Sequence, residues 1–238
     1  MKTKIKTGLL ITLEGGEGGG KTTQIVRLKK HLTEAGKDVV ILREPGGTTI
    51  SEQIREIVLS SKNTSIAFTT EVLLFQAARS QIYREIVLPS LKAGKVVVMD
   101  RSRDSSVVYQ GMVRGFGTEL IEQLNDISTK KTYPDITFLL DIPVNIGLGR
   151  RNGAGDINRL DMEAKDFHQK VRQSYLDLAK QDQEQHGKNA RWVVIDARPS
   201  ADQVEKKIWQ IVKEFLAKNQ LSSWEDKIAD LDLEYPAS

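Results

Sequence analysis

Residues Gly15 to Thr22 read Gly-Gly-Glu-Gly-Gly-Gly-Lys-Thr, which fits the phosphate-binding pattern G-x-x-x-x-G-K-[ST]. The pattern works only when a buried strand delivers it and a helix leaves it, and both flanks are present. Gly8-Leu9-Leu10-Ile11-Thr12-Leu13 is a short apolar run suited to a buried strand, and Ile25, Leu28 and Leu32 follow at helical spacing. Glycines let the backbone N–H groups turn inward, and the helix N-terminus adds positive potential. Lys21 brings a full charge to the β- and γ-phosphates of a nucleoside triphosphate, and the Thr22 hydroxyl can reach magnesium. Gly15, Gly16, Glu17, Gly18, Gly19, Gly20, Lys21, Thr22 and Thr23 are thus the expected ATP-binding loop.

Apolar, β-branched runs recur at Leu9–Leu13, Val39–Leu42, Val96–Met99, Ile136–Leu140 and Trp192–Ile195. Between them lie helical patterns over about Lys21–Ala35, Ile50–Ser60, Thr70–Leu91, Thr118–Lys130, Val144–Arg151, Asp161–His186 and, after the last strand, Ala201–Asn219. Short buried runs alternating with helices predict an α/β fold: a doubly wound, five-stranded parallel sheet covered on both faces. Right-handed crossovers put every strand's C-terminal end on one edge, where ligands of open α/β sheets bind.

The unusual polar residues fall on that edge. The second strand runs into Arg43-Glu44-Pro45-Gly46-Gly47-Thr48, where Pro and paired Gly stop the strand and let backbone approach a ligand. The third ends in Asp100-Arg101, so Asp100 can join Thr22 around magnesium while Arg101 holds a second phosphate. A plain strand-end ion pair is the other reading of that dipeptide. After the fourth strand, Gly149 to Arg159 carries Arg150, Arg151 and Arg159 among glycines, a composition that fits either an anion-seeking lid or a solvated loop. Phosphoryl transfer needs two phosphates held in line and the migrating charge neutralised, which convergent cations provide. Two phosphate sites and an arginine loop point to a kinase acting on a small phosphorylated acceptor.

The details then resemble thymidylate kinases of the bacterial type, a family of P-loop nucleoside monophosphate kinases. The matching segments run from the phosphate loop almost to the final helix: Glu14-Gly15-x-Glu17-Gly18-x-Gly20-Lys21-Thr22-Thr23, Arg43-Glu44-Pro45-Gly46-Gly47-Thr48, Leu73-Leu74-Phe75-x-Ala77-Ala78-Arg79, Asp100-Arg101, Ser105-Ser106-x-x-Tyr109-Gln110-Gly111, Leu140-Asp141 and Arg159-Leu160-Asp161. The Arg-Glu-Pro-Gly-Gly-Thr and aromatic-x-Ala-Ala-Arg segments discriminate far better than the phosphate loop. The resemblance implies transfer of the γ-phosphoryl group of ATP to dTMP, giving dTDP and ADP in dTTP synthesis, with magnesium held by Thr22 and Asp100. It implies that Phe75 stacks on thymine, that Arg79 and Ser106 choose the base, and that Arg101 holds the acceptor phosphate. Glu17 accepts from the sugar 3′-hydroxyl, Tyr109 closes the space beside the 2′ carbon, and Gln110, Ser105, Arg43 and Glu44 complete the acceptor site. On the residues alone Phe75 fits an apolar core equally well, since Val72, Leu73 and Leu74 surround it.

The catalytic cations implied are Lys21, Arg150, Arg151 and Arg159. The phosphate loop has no base other than Lys21, so Arg150 or Arg151 must reach the transferring phosphoryl group from the lid, with Arg159 anchoring it. The chain departs from the family pattern at Gln76, where an aromatic is common, and at Ser102-Arg103. Another nucleoside monophosphate kinase is the nearest rival, because only the base pocket differs. A nucleotide-operated switch is remote, since the N-K-x-D and D-x-x-G patterns of such proteins are absent.

The 238 residues suit one domain over 1–220, with a lid at about 149–159, followed by an acidic tail over 221–238. The tail holds five acids against one lysine, a net −4 that leaves +7 on residues 1–220. A net charge of +3 gives no nucleic-acid footprint, and no apolar run reaches bilayer length. The basic start leaves no room for a signal peptide before the first strand, and with no cysteine a cytoplasmic location is expected. The partners expected are ATP and dTMP, with no nucleic acid and no membrane, and a homodimer packed through helices is implied by the resemblance.

Overall fold

A computed structural model describes residues 8–152 and 158–221. The middle of the expected lid and all of the acidic tail beyond Leu221 lie outside the described residues. The elements run β1 (Leu9–Glu14), α1 (Lys21–Glu34), β2 (Val39–Arg43), α2 (Thr49–Leu59), α3 (Phe68–Ile82), a π-helical turn (Tyr83–Val87), α4 (Leu88–Lys92) and β3 (Val96–Asp100). Then come α5 (Arg103–Ser106), a π-helical segment (Val107–Val113), α6 (Thr118–Thr129), β4 (Ile136–Asp141), α7 (Val144–Asn152), α8 (Lys165–His186), β5 (Trp192–Asp196) and α9 (Ala201–Leu221).

The five strands form one parallel sheet in the order β2-β3-β1-β4-β5. Alternate side chains serve opposite faces, as the period of two requires. Leu9, Ile11 and Leu13 of β1 pack with Val96, Val98, Phe138 and Leu140 beneath α1 and α9. Leu10, Val97 and Met99 meet Ile82, Tyr83 and Val87 on the other face, where Leu139 meets Tyr109, Val171 and Tyr175. Both faces are covered, so the strands are near-continuous apolar runs. Their C-terminal ends, Glu14, Arg43, Asp100, Asp141 and Asp196, all emerge on one edge.

Two expected helices need correction, and one helical segment was not expected. The pattern over Thr70–Leu91 is not one helix: it widens into a π-turn, with the N–H of Leu88 bonding Tyr83 O, just before Pro89. A proline ring clashes with the carbonyl four residues back and donates nothing, and a wider turn relieves both problems. The segment after Asp100-Arg101 is helical from Arg103 to Val113, although β-branched Val107 and Val108 and a central Gly111 hide it. The helix expected from Asp161 begins at Lys165, because Asn158 and Asp161 close a turn instead: Asn158 Oδ1 accepts from the Leu160 and Asp161 N–H groups.

Candidate active site

The loop between β1 and α1 wraps the start of the helix in a conformation that demands glycine. Gly18 has φ +68°, and a Cβ there would lie 1.9 Å from Gly147 O on α7. Gly20, at φ +83°, caps α1 in the left-handed region. Lys21 folds back over the loop, its Nζ donating to Gly15 O (3.1 Å) and Gly16 O (2.9 Å). Burial pushes its pKa down, and the nearby Arg101 adds to this, whereas Glu17, Asp100 and Glu14 oppose it.

Thr22 Oγ1 donates to Asp100 Oδ2 at 3.0 Å. A hydroxyl and a carboxylate on adjacent elements are hard oxygen donors, and no group of three or more acidic or histidine ligands exists among the described residues. That sparse donor set fits magnesium, which keeps several waters and binds through one or two protein oxygens plus substrate phosphates.

Arg101 follows directly on β3 with φ +66°, a conformation rare for a non-glycine residue. Its own N–H bonds Leu13 O, and the next N–H, of Ser102, bonds Glu14 Oε1 at 2.8 Å. Those bonds hold the turn, whose strain is on the order of 1–3 kcal/mol. The guanidinium donates to Glu17 Oε1 (2.6 Å) and Tyr175 Oη (3.1 Å). Glu17 also accepts from Tyr109 Oη at 3.2 Å. Burial would raise the Glu17 pKa, but Arg101, Lys21 and the Tyr109 hydroxyl outweigh it and hold the carboxyl at about 2. The acid inside the phosphate loop is therefore turned toward Arg101.

Behind this pair lies Glu14, fully buried, accepting from Ser105 Oγ (2.6 Å) and Tyr175 Oη (2.8 Å). Burial first, and the Asp104 carboxylate second, push its pKa up to about 7.

Phe75 and Arg79 stand one turn apart on α3, and both line the same cleft as the loop. Arg79 is 1% exposed. Its Nε donates to Glu44 Oε2 (2.7 Å), its Nη1 to Ser106 Oγ (2.9 Å) and Asn125 Oδ1 (2.8 Å), and its Nη2 to Ser102 O (3.1 Å). Four of its five N–H groups are engaged, leaving one donor. Glu44, bonded to Arg79, also lines the cleft. Arg43 lines the cleft, with its Nη2 donating to both carboxylate oxygens of Glu52 (3.0 and 2.9 Å). Gln110 lines it beside Tyr109, with Nε2 bonded to Glu71 Oε1 at 3.0 Å.

The lid arginines separate. Arg150 donates to the carbonyls of Ala197 (3.0 Å) and Arg198 (3.3 Å), beyond β5. Arg151 is held by Asp161 Oδ2 through Nε (3.2 Å) and Nη2 (2.8 Å), and lines the cleft as Arg150 does. Arg159, expected among the catalytic cations, does not line it. Its guanidinium is buried against Val58 O and Glu71 Oε2 (2.6 Å), and its backbone N–H bonds Leu59 O. These bonds tie the turn at Arg159 to α2 and α3 and hold its guanidinium out of the cleft.

The cleft that joins these groups has a volume of about 1120 Å³, above the roughly 300–1,000 Å³ of a typical small-ligand site. The model of the family described as thymidylate kinase matches residues 13–208. The chain belongs to the thymidylate kinase family. It is 44% identical to the thymidylate kinase of Geobacillus sp. (strain WCH70) over 199 residues, 83% of this chain and 92% of that one. It is 44% identical to that of Geotalea uraniireducens (strain Rf4) over 217 residues, 89% and 99% of the two chains. The crystal structure of thymidylate kinase from Ehrlichia chaffeensis superposes with a TM-score of 0.69 at 31% identity, covering 87% of this chain and 99% of that one.

Within this thymidylate kinase fold, several residues in and behind the cleft were not foreseen from sequence. Arg55 lines the cleft and donates to Pro45 O at 2.7 Å, yet on α2 it stands between Glu52 and Glu56 and belongs to no motif. Tyr175 comes from α8, far along the chain, and had only its place in an apolar stripe to mark it. Asn125 joins Arg79 to Gln76 Nε2 (2.9 Å), and Ser128 bonds Gln76 Oε1 (2.8 Å). The polar Gln76, a departure from the family pattern, is thereby satisfied inside a buried network.

Proposed function

We propose that the chain transfers the γ-phosphoryl group of ATP to dTMP, forming dTDP and ADP, with the residues above in the roles that follow. The observation carrying this reading is that Lys21 and Thr22 of the phosphate loop line the same cleft as Phe75, Arg79 and Arg101. Holding both nucleotides there makes the transfer effectively unimolecular, which is the main task in phosphoryl transfer.

In this reading the loop N–H groups and Lys21 hold the donor phosphates. Thr22 and Asp100 would hold magnesium, which neutralises charge on the phosphate oxygens when bound. Arg101, now paired with Glu17, takes the acceptor phosphate. Glu17 is then free to accept from the 3′-hydroxyl, with Tyr109 packed beside the 2′ carbon. Phe75 forms the platform for the base, and the one remaining N–H of Arg79 addresses a carbonyl oxygen on its edge. Arg151 serves the migrating phosphoryl group from the lid, while Arg150, tied to the 197–198 carbonyls, serves the nucleoside end of the donor. Arg159 anchors the lid over about 149–159 to α2 and α3. Residues 1–220 act as the catalytic domain, and residues 221–238 are a separate acidic extension.

Exposed Leu73 on α3 with Leu120 and Ile127 on α6 offers an apolar surface suited to a homodimer packed through helices. No helix among the described residues is long and apolar enough to cross a membrane. The absence of cysteine agrees with a cytoplasmic location. ADP release from ATP and magnesium, measured against dTMP, dUMP, UMP, CMP, AMP and GMP, tests the reading. Preferred turnover of dTMP is the expected result; equal turnover of CMP or AMP would reject the acceptor assignment.

A further inference from the structure

Glu71 sits in the first turn of α3, on the same side as Phe75 and Arg79, and is 1% exposed. Its two oxygens are engaged differently. Oε2 accepts from Arg159 Nη2 at 2.6 Å and lies 3.6 Å from Arg114 Nη2; Oε1 accepts from Gln110 Nε2 at 3.0 Å. Arg114 in turn pairs with Glu163 and stacks on Phe68 and Phe167. The carboxylate is therefore locked by three partners, Gln110 and Arg114 from the π-helical segment and its cap and Arg159 from the turn before α8, and cannot swing away from Gln110.

A carboxylate held between two guanidiniums can only accept hydrogen bonds, so the amide of Gln110 must turn its NH₂ toward it. The carbonyl oxygen of Gln110 is left as the end free to accept from a ligand in the cleft that Gln110 lines. Arg79 meets Ser106, and Glu71 meets Gln110, on the same two facing segments, with Phe75 midway between the pairs. A base stacked on Phe75 would then find a donor at the Arg79 end and an acceptor at the Gln110 end. Thymine, with a carbonyl beside an imide N–H, matches that order; cytosine, with an amino group beside a bare ring nitrogen, opposes it at both atoms.

We propose that Glu71 is a positioning residue for base selection: it fixes the Gln110 amide with its oxygen toward the acceptor base, which favours an imide N–H over an unprotonated ring nitrogen. The inference rests on the dTMP kinase reading above.

The test compares kcat/KM for dTMP and dCMP in the full chain with Glu71 intact, as Glu71→Gln and as Glu71→Asp, with thermal melts to establish folding. Glu71→Gln is nearly isosteric but can itself donate, so Gln110 is no longer held in one orientation, and the dTMP:dCMP ratio should fall about tenfold, mostly through KM. Glu71→Asp disturbs packing more yet remains acceptor-only, so its ratio should stay within about threefold of the parent even if its Tm drops. A structural role alone would lower both substrates together in both variants. An unchanged ratio in Glu71→Gln, or an equal fall in Glu71→Asp, would overturn the proposal. If the parent chain itself fails to prefer dTMP, the acceptor assignment is wrong and this inference falls with it.

Discussion

Arg101 donates to Glu17 Oε1 across 2.6 Å, and the pair joins the phosphate loop to the end of β3. An acid inside an anion-collecting loop would repel a triphosphate if it faced the ligand. Here the guanidinium neutralises it and holds its pKa near 2. Arg101 is in turn held ready, at a strained φ of +66°, by a partner that an incoming phosphate can replace. In the proposed reading, acceptor binding would exchange one charged partner of Arg101 for another and release Glu17 to the sugar.

Tyr109 belongs to both the cleft and the core, packing against Val171 and Tyr175. Tyr109→Ala should raise the kcat/KM of ribothymidine monophosphate relative to dTMP, and also cost stability, about 3–5 kcal/mol for an aromatic truncated in a core. Tyr109→Phe keeps the ring and loses only the bond to Glu17, so its sugar preference should stay near the parent's. Steady-state kinetics on both sugars, with a melt for each variant, checks this. Equal loss on both sugars in Tyr109→Ala would make the residue purely structural.

The lid arginines should differ in kind. Arginines that stabilise phosphoryl transfer typically contribute about 10³–10⁵ in turnover, and Arg151→Ala is expected to lower kcat by about two orders of magnitude or more. The KM for dTMP should hardly move, as for a group engaged mainly in the transition state. Arg150→Ala should act chiefly on the KM for ATP. Arg159→Ala, which unpins the lid from Val58 and Glu71, should shift kcat and the ATP KM together and lower the Tm. Near-normal kcat in all three would mean that Lys21 and magnesium suffice.

Glu14 makes stability depend on pH in a stated direction. Its folded pKa, about 7, lies above the ordinary 4.5, so the folded state holds a proton that the unfolded state releases between those values. The stabilisation is full below pH 4.5 and is lost as pH rises through about 7, by up to about 3 kcal/mol. Glu14→Gln, which stays neutral, should show less decline between pH 5 and 8 than the parent in urea unfolding. Parallel pH profiles for the two proteins would contradict the buried, protonated carboxyl.

The strands were legible in sequence because β1, β3 and β4 are buried on both faces and all five are near-continuous apolar runs with no competing periodicity. Leu9, Val96, Ile136 and their neighbours sit where the apolar runs put them, and each observed strand extends only one residue further, to Glu14, Arg43, Asp100, Asp141 or Asp196. Lys21, Thr22 and Asp100 were legible because local motifs fix their geometry. The partners of Arg159 were not: an arginine in a glycine-rich loop looks the same whether it meets a phosphate or the buried Glu71, and only tertiary packing decides. Tyr175, Asn125 and Gln76 were hidden for a related reason, since their partners lie 161, 46 and 49 residues away along the chain.

The central claim is that one cleft holds two separate phosphate sites, and calorimetric titration of dTMP into Lys21→Ala and Arg101→Ala tests it most directly. The account predicts that Lys21→Ala binds dTMP nearly as the parent does while losing phosphoryl transfer. Arg101→Ala should weaken dTMP at least tenfold, the loss expected for a charge-assisted hydrogen bond of about 1.5–3 kcal/mol. Similar dTMP affinity in the two variants would contradict the division of the cleft into donor and acceptor sites.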